Sequence, residues 1–166
     1  MLRHAQMKDV KAIKSLAERH MVEGSLLPLA LTEIYENIRD FFVIDEDGVV
    51  VGCVALHVTW EDMAEIRTLV VERECRGKGY GDQLIVAAMR ETRDLQIERV
   101  FALTAIPSYF TERGFKEMDK SLLPHKVWAA CIKCPKFPDC DEVAVGTTVS
   151  EWFATYGARF ESTEVD

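Results

Sequence analysis

Several things are missing from this chain, and each absence removes a class of function. No apolar run approaches the length needed to cross a bilayer, so a membrane-spanning role is not expected. The opening Met1-Leu2-Arg3-His4-Ala5-Gln6 has no apolar signal region, which makes the cytoplasm the expected compartment. Positive charge is in short supply: 20 Lys and Arg against 28 Asp and Glu leave a net charge of −8, the wrong sign for a nucleic-acid binder. The cysteines number five, an odd count that does not suggest a disulfide framework in a reducing compartment. There is no internal repeat and no low-complexity segment. A Walker loop, Gly-x4-Gly-Lys-Ser/Thr, is absent, and so is a Gly-x-Gly-x-x-Gly fingerprint directly after a strand.

What is present fits one domain with a sizeable core: 166 residues, 48% of them hydrophobic. Asp9 precedes a segment that sets Val10, Ile13, Leu16, Ala17 and Met21 on one helical face. Thr32 reads as the N-cap of a second helix over 33–40. Phe41-Phe42-Val43-Ile44 and 49–58 read as a hairpin turned at Asp45-Glu46-Asp47-Gly48, with Gly52 marking a bulge or a close approach. After Trp60-Glu61-Asp62 come a strand over 65–71, a helix to about residue 95 and a buried strand over 99–104. A helix opening at Pro107 and stopping at Gly114 follows, then strands over 115–119 and 127–132. The expected architecture is α/β, a mixed sheet with helices on both faces. The compact domain is expected over 1–145. Residues 146–166 read as a C-terminal tail with one apolar cluster (Trp152, Phe153, Tyr156, Phe160), a candidate docking helix and a candidate homodimer contact.

The chain is organised around residues 65–82. A β-branched strand ends in Leu69-Val70-Val71, a charged connection follows, and Gly77, Gly79 and Gly81 lead into a helix carrying Leu84, Ile85, Ala88 and Met89. A helix start presents unpaired N–H groups and the positive end of the dipole. Glycine leaves those groups uncovered, and Arg76 and Lys78 add positive charge. The physical reading is a diphosphate cradle formed by Arg76, Gly77, Lys78, Gly79, Tyr80 and Gly81; the plainer one is an ordinary helix-entry turn.

Arg76-x-x-Gly79-x-Gly81 after Leu-Val-Val resembles the coenzyme A loop of the GCN5-related N-acetyltransferases. The element order, the Asp-Gly hairpin and Tyr109-Phe110 with Gly114-Phe115 extend the likeness over 1–145. Within that superfamily, Glu65-Ile66, Phe110-Thr-Glu-Arg-Gly-Phe115 and Leu122-Leu123-Pro124 are similar to the acetyltransferase domain of N-acetylglutamate synthases, in its short stand-alone form. The run from Ile34 to Phe41 and the late Cys-x2-Cys-Pro-x2-Pro-x-Cys segment point the same way. The resemblance implies a mostly antiparallel sheet and acetyl-CoA as co-substrate. It also implies acetylation of a free amino acid, glutamate foremost, as in arginine biosynthesis. Longer relatives carry an amino-acid-kinase-like domain that binds arginine as a feedback signal, a domain not expected within these 166 residues. One departure concerns the substrate. The family has a carboxylate-binding arginine between the first two helices, whereas Leu27-Pro28-Leu29-Ala30-Leu31 has no cation. Acetylation of another small amine or of a protein N-terminus, and a non-catalytic acyl-CoA sensor, are the alternatives.

Acetyl transfer then assigns roles. Leu69, Val70 and Val71 offer backbone groups to the pantetheine arm and an N–H to the oxyanion. Alternation puts Glu65, Arg67, Leu69 and Val71 on one strand face, which makes Glu65 the candidate general base acting through a water. Glu61 is its reserve, and a solvated glutamate paired with Arg67 is the plainer reading. Tyr109 or Ser108 is the candidate acid, one that an easily departing thiolate needs little. Arg67 and Lys133, with Lys126 and Lys136 behind them, are the cations available for a substrate carboxylate. Cys131-x2-Cys134-x5-Cys140 with His125 upstream is a weak candidate for a structural zinc site, ordinary packed thiols being the plainer reading. The expected partner is a small-molecule amine, with neither nucleic acid nor membrane involved.

Overall fold

The computed structural model describes residues 1–21, 29–124 and 142–161. Seven strands hydrogen-bond in the order β1-β2-β3-β4-β5-β7-β6. They are β1 (Leu2–His4), β2 (Phe41–Glu46), β3 (Val49–Trp60), β4 (Met63–Val71), β5 (Arg99–Thr104), β6 (Lys116–Met118) and β7 (Val143–Thr148). The helices are α1 (Val10–Met21), α2 (Leu31–Glu36), α3 (Tyr80–Asp94), α4 (Pro107–Thr111) and α5 (Val149–Ala154). β4 runs parallel to β5, while the β1–β2, β2–β3, β5–β7 and β6–β7 pairs are antiparallel.

By contact density the chain forms two compact units, one of residues 1–57 and 66–91, the other of 58–65 and 92–166. In the first, α1 buries Val10, Ile13 and Leu16 against Phe41 and Val43 of β2 and Cys53 and Ala55 of β3. α3 buries Leu84, Ile85, Ala88 and Met89 completely, the four positions that helical spacing singles out. Asp47 and Gly48 both take positive φ (51° and 84°), the two-residue turn that suits the right-handed twist of a hairpin. At Gly52 a Cβ would stand 3.3 Å from the Val70 carbonyl oxygen, and the β2–β3 register shifts alongside at Ile44/Asp45. Close approach and bulge therefore occur together. Arg3 closes this unit's N-terminus: its guanidinium grips both oxygens of Asp9 (2.7 and 3.0 Å) and reaches Asp45 at 2.8 Å.

The second helix corrects its expected start. Ala30, not Thr32, is the N-cap, and the α-helix ends at Glu36 with a separate 3-10 turn over Ile38–Asp40. Apolar Leu31 and Ile34 belong to the turn itself, and Asn37 closes it by donating from Nδ2 to the Glu33 carbonyl.

In the second unit, Met63, Phe101, Leu123 and Ala144 make the core, and Trp152 is wholly buried with its indole N–H on the Arg113 carbonyl at 2.8 Å. The division expected at residue 146 falls inside β7. Gly146 pairs with Phe101 on one side and Lys116 on the other. It is glycine because a Cβ there would stand 2.7 Å from Met118 Sδ and 3.2 Å from the Val100 oxygen. A residue that reads as the start of a tail is a crowded position in the middle of a sheet. The tail beyond it folds as α5 and a 3-10 stretch, Tyr156–Phe160. The strand expected over 127–132 lies outside the described residues.

Candidate active site

The site grows from β4. Its ladder to β5 is short: Met63 pairs with Arg99, Ala64 with Val100 and Glu65 with Phe101, and there the register ends. Thr68 then takes φ 51°. A β-branched residue in the left-handed region is a strained outlier, costing about 1–3 kcal/mol, and such strain concentrates where a strand is re-aimed for function. The Cys53 thiol lies 3.5 Å from the Thr68 carbonyl oxygen. A regular alternation of faces from Glu65 to Val71 is therefore broken at Thr68; separately, Glu65 is only 7% exposed whereas Arg67 is exposed. The reading of Glu65 as a solvated surface glutamate is ruled out by that depth.

Beyond Val71 the chain makes a 3-10 turn over Arg73–Cys75 and then takes positive φ at Gly77 (82°) and Gly79 (79°) before α3 begins at Tyr80. A Cβ on either glycine would meet nothing within 4 Å among the described residues. Conformation, not crowding, demands glycine here, and the backbone is left uncovered. Gly81 lies inside the first turn of α3, so the three alternate glycines do different work. The first two shape the loop, and the third keeps a side chain off the helix start.

The two loop cations are engaged by the protein itself. Arg76 donates from Nε to the Val71 carbonyl at 3.3 Å, and its Nη2 lies 3.0 Å from Nδ1 of buried His20 on α1. His20 in turn faces Glu72 at 3.6 Å. The guanidinium thus ties the loop to the strand end and to α1. Lys78 donates to both oxygens of Glu46, at 3.1 and 3.5 Å, and the Tyr80 hydroxyl donates to the same carboxylate. Those two donors, Tyr80 first, hold Glu46 below the usual carboxylate range, while Glu46 raises both Lys78 and Tyr80. Sequence reasoning had placed Glu46 only in a turn. Nothing local signals that the last residue of β2 returns to the loop.

The remaining candidates are distributed as follows. Ser108 is exposed near the start of α4, while Tyr109 is half-buried with the Arg113 guanidinium 3.8 Å above its ring. Glu61 is exposed in the β3–β4 turn. Residues 69–81 belong to the first unit, with Arg67 just upstream on β4, whereas Glu65, Ser108 and Tyr109 belong to the second. Lys126, Lys133, Lys136, His125, Cys131, Cys134 and Cys140 lie outside the described residues. Among the described residues no group of three His, Cys, Asp or Glu side chains is arranged to hold a metal ion, and no helix is long and apolar enough to cross a membrane. A pair that sequence reasoning missed is His57 on β3, whose Nδ1 lies 2.8 Å from Asp40 Oδ2.

A strained β4, a glycine-shaped loop and a helix of 15 residues opening on it are thus in place. Residues 11–115 match the Acetyltransferase (GNAT) family. The chain belongs to that family. An uncharacterized N-acetyltransferase of Chlorobaculum tepidum is 38% identical to this acetyltransferase over 148 residues, 89% of this chain and 96% of that one. An amino-acid acetyltransferase of Mycobacterium tuberculosis is 39% identical over 121 residues, 71% of this chain and 69% of that one. Among solved structures, Rv2747 from Mycobacterium tuberculosis in complex with CoA and NLQ superposes with a TM-score of 0.75 at 30% identity, covering 89% of this chain and 98% of that one. N-acetylglutamate synthase from Neisseria gonorrhoeae, complexed with coenzyme A and N-acetyl-glutamate, superposes with a TM-score of 0.80 at 25% identity; the likeness covers 90% of this chain and 35% of that one. The GNAT fold expected from the Arg-x-x-Gly-x-Gly loop is the fold observed.

Proposed function

We propose that this acetyltransferase moves the acetyl group of acetyl-CoA onto the α-amino group of a free amino acid, with glutamate the preferred acceptor. The observation that carries the reading is the run from Thr68 to Tyr80, a strained strand followed by left-handed Gly77 and Gly79 at the mouth of α3. Its uncovered amides suit a diphosphate, which the dipole of a long helix favours. The part of β4 beyond the β5 ladder suits the pantetheine arm, with a strand amide donating to the oxyanion as the amine nitrogen attacks the thioester carbonyl. Glu65 accepts the ammonium proton through a water, and Tyr109 or Ser108 returns one to the departing thiolate. The C–N bond forms first, giving the tetrahedral oxyanion; the nitrogen then sheds its second proton and the C–S bond breaks, so the sum is acetyl-amino acid, free coenzyme A and one proton.

A free amino acid is favoured by the amino-acid acetyltransferase at 39% identity, and glutamate by the Neisseria synthase structure with its N-acetyl-glutamate. That choice would place the reaction in arginine biosynthesis. Leu29 and Ala30 before α2, and Leu31 at its start, supply no cation. The carboxylate partner is then drawn from Arg67, exposed on β4, and Lys133.

Thiol release from acetyl-CoA across a panel of amino acids and amines tests the reading. Glutamate should give the highest kcat/KM. An advantage of more than about tenfold for aspartate, lysine or a polyamine, near 1.4 kcal/mol in transition-state stabilisation, overturns the substrate assignment. Coenzyme A binding without turnover on any acceptor would leave a sensor instead.

A further inference from the structure

The cation best placed in the loop is occupied by an anion of the chain's own. Glu46, the last residue of β2, accepts from Lys78 Nζ at 3.1 and 3.5 Å and from the Tyr80 hydroxyl, and the Cys75 thiol lies 3.9 Å from its other oxygen. Lys78 also sits 5.7 Å from the centre of the Tyr80 ring, so the lysine, the tyrosine and the carboxylate form one cluster over the loop. The three members come from the end of β2, the loop and the first residue of α3. The side chains of Lys78 and Glu46 remain 48% and 31% exposed, so the pair is open to exchange. Asp45 and Asp47 flank Glu46 and add negative charge beside it. Its carboxylate is ionised throughout the physiological range, because the tyrosine and lysine donors hold it down.

We propose that Glu46 is an affinity-setting residue of the coenzyme A site. In the free protein it takes up the donors of Lys78 and Tyr80, and diphosphate binding has to exchange it for phosphate oxygens. The inference rests on the reading of residues 76–81 as the diphosphate cradle. A carboxylate next to the cradle opposes an incoming anion, and it engages the loop's ammonium, Lys78, that would otherwise steer it. The backbone amides of the loop are unaffected. The consequence is a site that still recognises the diphosphate but holds it less tightly than its amides and cation allow, which favours release of the coenzyme A product.

The test is coenzyme A binding by calorimetry to the full chain and to Glu46→Gln, Lys78→Met and the double variant. Glutamine keeps the size and the acceptor for Tyr80 while removing the charge. Glu46→Gln should bind coenzyme A about three- to tenfold more tightly, with a steeper weakening by salt as Lys78 becomes free to engage phosphate. In the Lys78→Met background the same exchange should have a smaller effect, since part of its action passes through the lysine. Unchanged or weaker binding by Glu46→Gln, with its melting temperature unaltered, overturns the proposal while leaving the cradle standing. If the unaltered chain binds no coenzyme A, the cradle fails and Glu46 with it. Should Glu46→Gln fold poorly, Glu46→Ala takes its place: tighter coenzyme A binding is again expected, and affinity at or below wild type in a folded chain overturns the proposal.

Discussion

A carboxylate at 7% exposure in the middle of a strand is a candidate for chemistry rather than a solvated surface group. Glu65 is in that position. Glu65→Gln keeps the volume and removes the proton acceptor, so kcat for acetyl transfer should fall by about 10²- to 10⁴-fold with little change in KM for acetyl-CoA. The residual rate should climb with pH as the free amine replaces the ammonium. A loss below about threefold moves the base elsewhere, with Glu61 next to be substituted. Glu65 was legible as a residue type at a strand position, but its depth was not, because neighbouring Arg67 invites a surface pairing. Thr68 was illegible altogether. A β-branched residue in a Val- and Leu-rich run reads as regular strand, and only tertiary structure imposes φ 51° on it.

At the scale of elements, the loop and α3 were readable because their constraints are local. Glycine at a left-handed φ and apolar spacing on one helical face leave marks in a few adjacent residues. β1 and β7 were not read as they stand. β1 is three residues long and exists by pairing with Ile44, Val43 and Phe42, partners some forty positions away. β7 runs through a glycine that reads as the start of a tail, and a Cβ there would crowd Met118 and Val100. The readable loop also carries the sharper prediction. Gly79→Ala forces an L side chain to φ 79°, costing about 1–2 kcal/mol, while its Cβ would touch nothing among the described residues. The protein should fold, and coenzyme A affinity should drop by about 5- to 30-fold as the loop amides turn away. Calorimetric titration with coenzyme A checks this; wild-type affinity in the alanine variant would mean that the loop does not cradle the diphosphate.

At the scale of the whole molecule, ionisation sets a pH window for stability, and both edges can be derived. Asp9 and Asp45 are held low chiefly by hydrogen bonds from Arg3, Glu46 by Tyr80 and Lys78, and Asp119 by the Ser121 amide. Each contributes stability that is fully present above the unfolded carboxylate value of about 4 and is lost as pH falls through the lower folded value. The acid edge should therefore begin near pH 4 and deepen below it. The alkaline edge has a different origin. Burial alone pushes the Cys53 thiol from 9.0 up to about 12. Between those values the unfolded chain gives up a proton that the folded chain keeps, so stability falls as pH rises, by about 1.4 kcal/mol per pH unit for one proton. Lys78 and Lys116, raised by Glu46 and Glu151, add to the loss only once pH passes 10.5. Urea unfolding of the wild-type chain and of Cys53→Ala from pH 8 to 10.5 separates the two. The alanine variant is expected to start lower, for want of a packed sulfur, yet to lose stability more slowly from pH 9 upward. Parallel slopes would show that the Cys53 thiol reaches solvent, and with it that the β3–β4 contact on the Thr68 carbonyl is open in solution.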